Sequence, residues 1–120
     1  MEREFEYLED KEIVIVRATG SYELSAEIDT VKKIASKLKE HNCSRLLIDF
    51  RAAHIAAKTM DIFDRPKAYG DHGIERSIRA AIVCKELSND LRFYETVCLN
   101  RGWSVNIFDD YDAGIEWLTK

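Results

Sequence analysis

The side chains able to do covalent or acid–base chemistry are few and scattered. Cys43, Cys84 and Cys98 are odd in number and too far apart for a CxxC pair, and His41, His54 and His72 show no HxxxH or HExxH spacing. No metal is implied, and the cysteines read as free thiols in a reducing compartment. One constellation stands out. Parallel sheets collect ligands beyond the carboxyl ends of their strands, a position that gathers Asp49, Arg51 and His54 after one apolar run with Cys84, Lys85 and Ser88 after the next. Cys84 at a helix N-terminus, with His54 as base and Asp49 as orienter, would make a Cys-His nucleophile. The plainer reading is a packed cysteine and an aspartate bonded to local backbone. A second group, Arg92, Glu95 and Arg101 with Tyr94 as a half-exposed anchor, lies on or beside one helix. Arg92 and Glu95 have the spacing of an i, i+3 pair, and the surface reads either as a solvated face or as a docking or anion site.

The elements that would carry these residues follow from periodicity. Phe5, Tyr7 and Leu8 lead through Asp10-Lys11 into the β-branched run Ile13-Val-Ile-Val16, a hairpin with an outer first strand and a second strand that Gly20 closes. From Leu24 to Leu38 apolar positions recur every three or four residues, with Ser25 as N-cap and Asn42 as a left-handed stop, which predicts an amphipathic helix. A third strand covers Arg45 to Phe50, and Thr59 is placed to cap a second helix that Pro66 bends or ends. Ser77 to Cys84 is a fourth strand, and a helix opens at Ser88 or Asn89 and stops at Gly102. Trp103 to Phe108 is a fifth strand. The last helix begins at Asp109 to Asp112, with one acid at the cap and another three residues on. Trp103, Trp117, Phe93 and Tyr94 read as core aromatics.

The order ββαβαβαβα predicts an α/β fold with a mixed sheet of about five strands, helices mainly on one face, and a single domain over residues 1–120. Ile13 and Ile15 face one way and Val14 and Val16 the other, so the second strand is buried on both faces. If helices cover one face only, the other calls for the second helix, a second copy of the chain, or an apolar ligand.

With 46% hydrophobic and 33% charged residues, one Pro and five Gly, a disordered or low-complexity chain is excluded. Eighteen basic against 22 acidic residues leave a net charge of −4, the wrong sign for a domain that would bind nucleic acid by neutralising phosphates. Lys32, Lys33, Lys37 and Lys39 are interleaved with acids and read as a solvated face. No transmembrane segment is expected, since no apolar run approaches the length of a membrane span, and the start of the chain lacks the pattern of a secretory signal. A cytoplasmic location is expected.

The stretch Asp90 to Phe108 (DLRFYETVCLNRGWSVNIF), closed by Asp109 to Leu118 (DDYDAGIEWL), resembles the C-terminal signature of the SpoIIAA-like STAS/SEC14 domain family. Ser44 to Arg51 (SRLLIDFR) and the order of elements fit the same family over nearly the full length. The resemblance implies a STAS-type fold. Better-known relatives are anti-sigma-factor antagonists, controlled by phosphorylation of a serine in a D-S-[ST]-G motif at the start of the second helix; others of similar architecture bind lipids or nucleotides. The corresponding position falls near Lys58-Thr-Met-Asp61, where a phosphate on Thr59 would meet free N–H groups and the positive end of the helix. This chain contains no acid-hydroxyl-hydroxyl-glycine sequence, and the plainer reading of Thr59 is an N-cap.

The leading expectation is a non-enzymatic regulatory module without cofactor, acting by contact as a homodimer and on an unidentified protein partner. The alternative is a carrier for a lipid-like or other small apolar ligand, held between the sheet and residues 52–73. An enzyme using Cys84 comes third.

Overall fold

The computed structural model describes residues 2–23, 28–56, 67 and 69–120. Strand β1 (Glu2–Leu8) turns into β2 (Ile13–Glu23), followed by helix α1 (Ile28–Glu40) and β3 (Arg45–Ala56). Then come β4 (Arg79–Val83), helix α2 (Asn89–Asn100), β5 (Ser104–Phe108) and helix α3 (Tyr111–Leu118). The five strands form one sheet in the order β1-β2-β3-β4-β5. Only the β1–β2 hairpin is antiparallel, and the other pairs are parallel. The expected mixed five-stranded α/β sheet is therefore present. Thr59 lies outside the described residues, as do Ser25 and Pro66.

Several ends differ from expectation. β2 does not close at Gly20, which takes φ 79°, but continues beside β3 to Glu23, the parallel ladder resuming after an irregularity between Arg17 and Thr19. Asn42 has φ 48° and ends α1 as read from the sequence. α3 is capped one residue later than expected, since the Asp110 carboxylate, not that of Asp109, accepts from the Ala113 N–H at 3.1 Å.

The layers decide what the fold leaves available. On one face, Val14, Val16, Leu46, Ile82, Val105 and Ile107 pack beneath Val31, Ile34 and Leu38 of α1 and Leu91, Tyr94, Val97 and Cys98 of α2. On the other, Ile13, Ile15, Leu47, Ala81 and Val83 join Leu118 of α3, and all six are fully buried. Among the described residues, the apolar second face, expected to need the second helix, another copy of the chain or an apolar ligand, is covered by the last helix. Gly114 permits it: a Cβ there would stand 3.1 Å from Val83 Cγ2 and 3.6 Å from both Ala81 Cβ and Leu47 Cδ1, so a larger residue would lift α3 off the sheet. Arg79 fastens the far end of α3, its guanidinium 4.2 Å from the Trp117 ring centre and donating to the Trp117 carbonyl at 2.7 Å.

Candidate functional site

The carboxyl ends of β3 and β4 do carry the polar residues gathered from the sequence, but the sheet sorts them onto opposite sides. Side chains alternate along a strand. Asp49 follows Leu47 toward α3, whereas Cys84 belongs to the core beneath α1 and α2. The proposed Cys84, His54 and Asp49 constellation is therefore not assembled. Asp49 is buried and committed elsewhere: its carboxylate accepts from Arg51 Nε at 3.0 Å, from Arg51 Nη2 at 2.9 Å and from the Arg51 backbone N–H at 3.0 Å. Burial pushes its acidity toward the neutral form, and the Arg51 hydrogen bonds and charge outweigh that, holding the carboxyl below its ordinary value. His54 is exposed.

Cys84 is 3% exposed, and burial followed by the charge of Asp109 pushes its thiol up, opposite to what a nucleophile beside a helix N-terminus requires. Cys98 is fully buried and pushed up to about 12. Ser88 does serve a helix start, since its hydroxyl accepts from the Leu91 N–H at 3.1 Å as the N-cap of α2. Among the described residues no group of three or more His, Cys, Asp or Glu side chains is placed to hold a metal.

Around Asp49 the structure adds residues the sequence did not single out. The Arg51 guanidinium lies 4.8 Å from the centre of the Tyr111 ring at the start of α3. On the same face Arg17 bonds Glu6 at 2.6 Å and also meets Tyr111. Asp49 is buried while Arg51, Arg17 and Glu6 reach solvent, but each of these charges is already paired within the network, which makes it a clamp between sheet and helix rather than an open anion site. No spacing in the sequence announced it, because Arg17, Asp49 and Tyr111 come from three elements.

The α2 group separates in the same manner. Tyr94, read as a core aromatic with a half-exposed anchor as the other possibility, is 4% exposed and part of the core. Glu95 turns inward, one oxygen accepting from Arg92 Nη1 at 3.2 Å and the other from the Ile107 N–H of β5 at 2.6 Å. The carbonyl of Arg101 accepts from Arg76 Nε at 3.0 Å, so the backbone there ties the end of α2 to the loop before β4. Phe93, read as core, is exposed. With Leu87 and Leu99 it makes up the large apolar side chains left exposed among the described residues. At 100° per residue, Phe93 and Leu99 flank the outward arc of α2 that holds Arg92 and Thr96, while Leu91, Tyr94, Val97 and Cys98 face the sheet. The signal was present in the sequence as apolar residues on both sides of this helix, but only burial shows which are surplus to the core.

Two hollows complete the surface. An open groove of about 490 Å³ lies at the amino ends of β3 and β4, lined by mixed residues including Lys39, Asn42, Ser44, Glu75 and Ser77. Between α1, α2 and the sheet, an apolar gap bordered by Ile48, Tyr94 and Trp103 offers about 40 Å³. That is room for a few solvent molecules at most, against roughly 300–1,000 Å³ for a ligand pocket.

No protein-family model matches the chain, and no curated protein matches it. Solved structures do. The chain is similar to an anti-sigma factor antagonist from Mycobacterium paratuberculosis, with TM-score 0.64 at 10% identity over 99% of this chain and 94% of that one. It is similar to an uncharacterized protein with a SpoIIAA-like fold from Shewanella loihica, with TM-score 0.58 at 18% identity over 98% and 92% of the two chains. It is also similar to the anti-sigma factor antagonist SpoIIAA in its unphosphorylated form, with TM-score 0.53 at 12% identity over 93% and 92%. The chain thus has the SpoIIAA-like STAS fold from end to end.

Proposed function

We infer that this protein is a non-enzymatic regulatory module that works by docking a protein partner on the outward arc of α2. The observation that carries this reading is the concentration, on or just before one helix, of the large apolar side chains left exposed among the described residues, Leu87, Phe93 and Leu99. Arg92 stands on the same arc, giving the mixture of apolar anchor and guanidinium that protein interfaces favour. Solved proteins of this fold that are anti-sigma factor antagonists support a partner-binding role by analogy of architecture. The buried, weakly acidic thiol of Cys84 and its separation from Asp49 support a role without nucleophilic catalysis. Self-association loses its motive, since α3 already covers the apolar face that called for it. Among the described residues the apolar gap offers only about 40 Å³, and residues 57–66 and 68, which the carrier reading sets over its cargo, lie outside them.

The test is quantitative affinity capture from extracts of the source cell, comparing the wild-type chain with Phe93→Asp/Leu99→Asp. The reading expects specific partners on the wild type that the double variant loses while its circular dichroism stays the same. Identical partners on both, or none on either, would overturn it.

A further inference from the structure

The two edges of the sheet are protected by different means. β1 carries Glu2, Arg3, Glu4 and Glu6, charges of the kind that discourage edge pairing. β5 has no charge at all in Ser104-Val-Asn-Ile-Phe108, and two β-branched residues and an aromatic make it a strand inclined to pair. Among the described residues its only neighbour is β4. In a parallel ladder alternate residues turn their backbone groups to opposite sides. The Phe108 carbonyl accepts from the Cys84 N–H at 2.9 Å and so faces β4. Ile107 therefore points its N–H outward, where a further strand would bind. That N–H donates to Glu95 Oε2 at 2.6 Å, while Arg92 holds Glu95 Oε1 at 3.2 Å.

We propose that Glu95 is the guard of the β5 edge: its carboxylate, aimed by Arg92, occupies the outward Ile107 N–H and so prevents β5 from pairing with β5 of a second copy of this chain. A second copy is the matching occupant because the uncharged strand is complementary to itself, and two such edges pair antiparallel about a two-fold axis that closes at a dimer. A charged partner strand would find nothing to pair with in Ser104–Phe108. The guard also gives the partner arc a second role, because Arg92 belongs to both; a ligand that drew Arg92 away would loosen Glu95.

Hydrogen exchange at the Ile107 amide and light scattering across a concentration series test this on the whole chain. In the wild type the Ile107 amide is protected although it lies on an edge, and the protein elutes as a monomer. Glu95→Ala should exchange Ile107 about tenfold faster or more, as expected for losing one charge-assisted bond, and should dimerise with rising concentration. Glu95→Gln keeps an acceptor and should stay monomeric with an intermediate exchange rate. Unchanged Ile107 exchange in either variant overturns the guard. A Glu95→Ala chain that stays monomeric at every concentration, or forms open-ended oligomers instead of a dimer, overturns the pairing.

Discussion

Arg51 holds Asp49 by three donors at once, with Nε, Nη2 and its own backbone N–H all within 3.0 Å of the carboxylate oxygens. Asp49 is also the last residue of β3 paired with β4, opposite Val83 where β4 ends. The contact aims the guanidinium at Tyr111, joining the sheet to the first turn of α3.

Because the folded carboxyl of Asp49 lies below its ordinary value of about 3.9, its contribution to stability is complete above that pH and is lost as pH falls through the lowered folded value. Asp49→Asn should lower stability near neutrality by about 1–3 kcal/mol, the range for hydrogen bonds to a charged group. It should also flatten the acid limb of the stability curve below about pH 4. Urea melts from pH 7 to pH 3 check both, and parallel acid limbs for the two proteins would mean that Asp49 is not the group being titrated.

Native thiol chemistry should be silent. Cys84 and Cys98 are both buried and both pushed toward the protonated thiol. Alkylation of these two near pH 7.5, about one unit below a free thiol's pKa, should follow the rate of unfolding and jump in urea. Mass mapping of labelled peptides reads each site separately. Rapid native labelling of Cys84 would return the nucleophile to consideration.

The helix that seals the second face should be sensitive at its closest approach. Gly114→Ala gains about 1 kcal/mol of helix propensity, but its methyl meets the buried and β-branched Val83 at 3.1 Å. Overpacking of this kind costs about 1–3 kcal/mol, so a net loss of up to about 2 kcal/mol is expected. Gly114→Leu should detach α3 and expose Ile13 and Ile15, with dye binding to apolar surface as the readout. Equal or higher stability for both variants would show that α3 packs more loosely than this geometry.

Much of this fold was legible from residue order because its signals are local. The β-branched runs, the Ser88 cap and the left-handed Asn42 and Gly102 depend on a few neighbouring residues, and each lies where the pattern put it. What could not be read is the side of the sheet to which each element belongs. The position of α3 rests on Gly114 meeting two strands at once, and the separation of Cys84 from Asp49 rests on strand alternation combined with register. The same limit explains Phe93 and Tyr94, adjacent residues of similar chemistry that only the helix's final orientation divides into surface and core.

That division yields a prediction in which stability and binding move apart. Tyr94 is 4% exposed and packed between α2 and the sheet, so Tyr94→Ala should cost about 3–5 kcal/mol, the range for removing a buried aromatic ring. Phe93 is 39% exposed and Leu99 is 50% exposed, so truncating either should change stability by only about 0.5 kcal/mol in either direction. If α2 is the docking face, Phe93→Ala and Leu99→Ala should nevertheless weaken partner binding, by about 1 kcal/mol or more at whichever residue fills a pocket on the partner. Denaturation of all three variants beside titration of a captured partner separates the effects. A large loss of stability from Phe93→Ala would mean that this ring belongs to the core, and the outward arc of α2 would then lose its principal anchor.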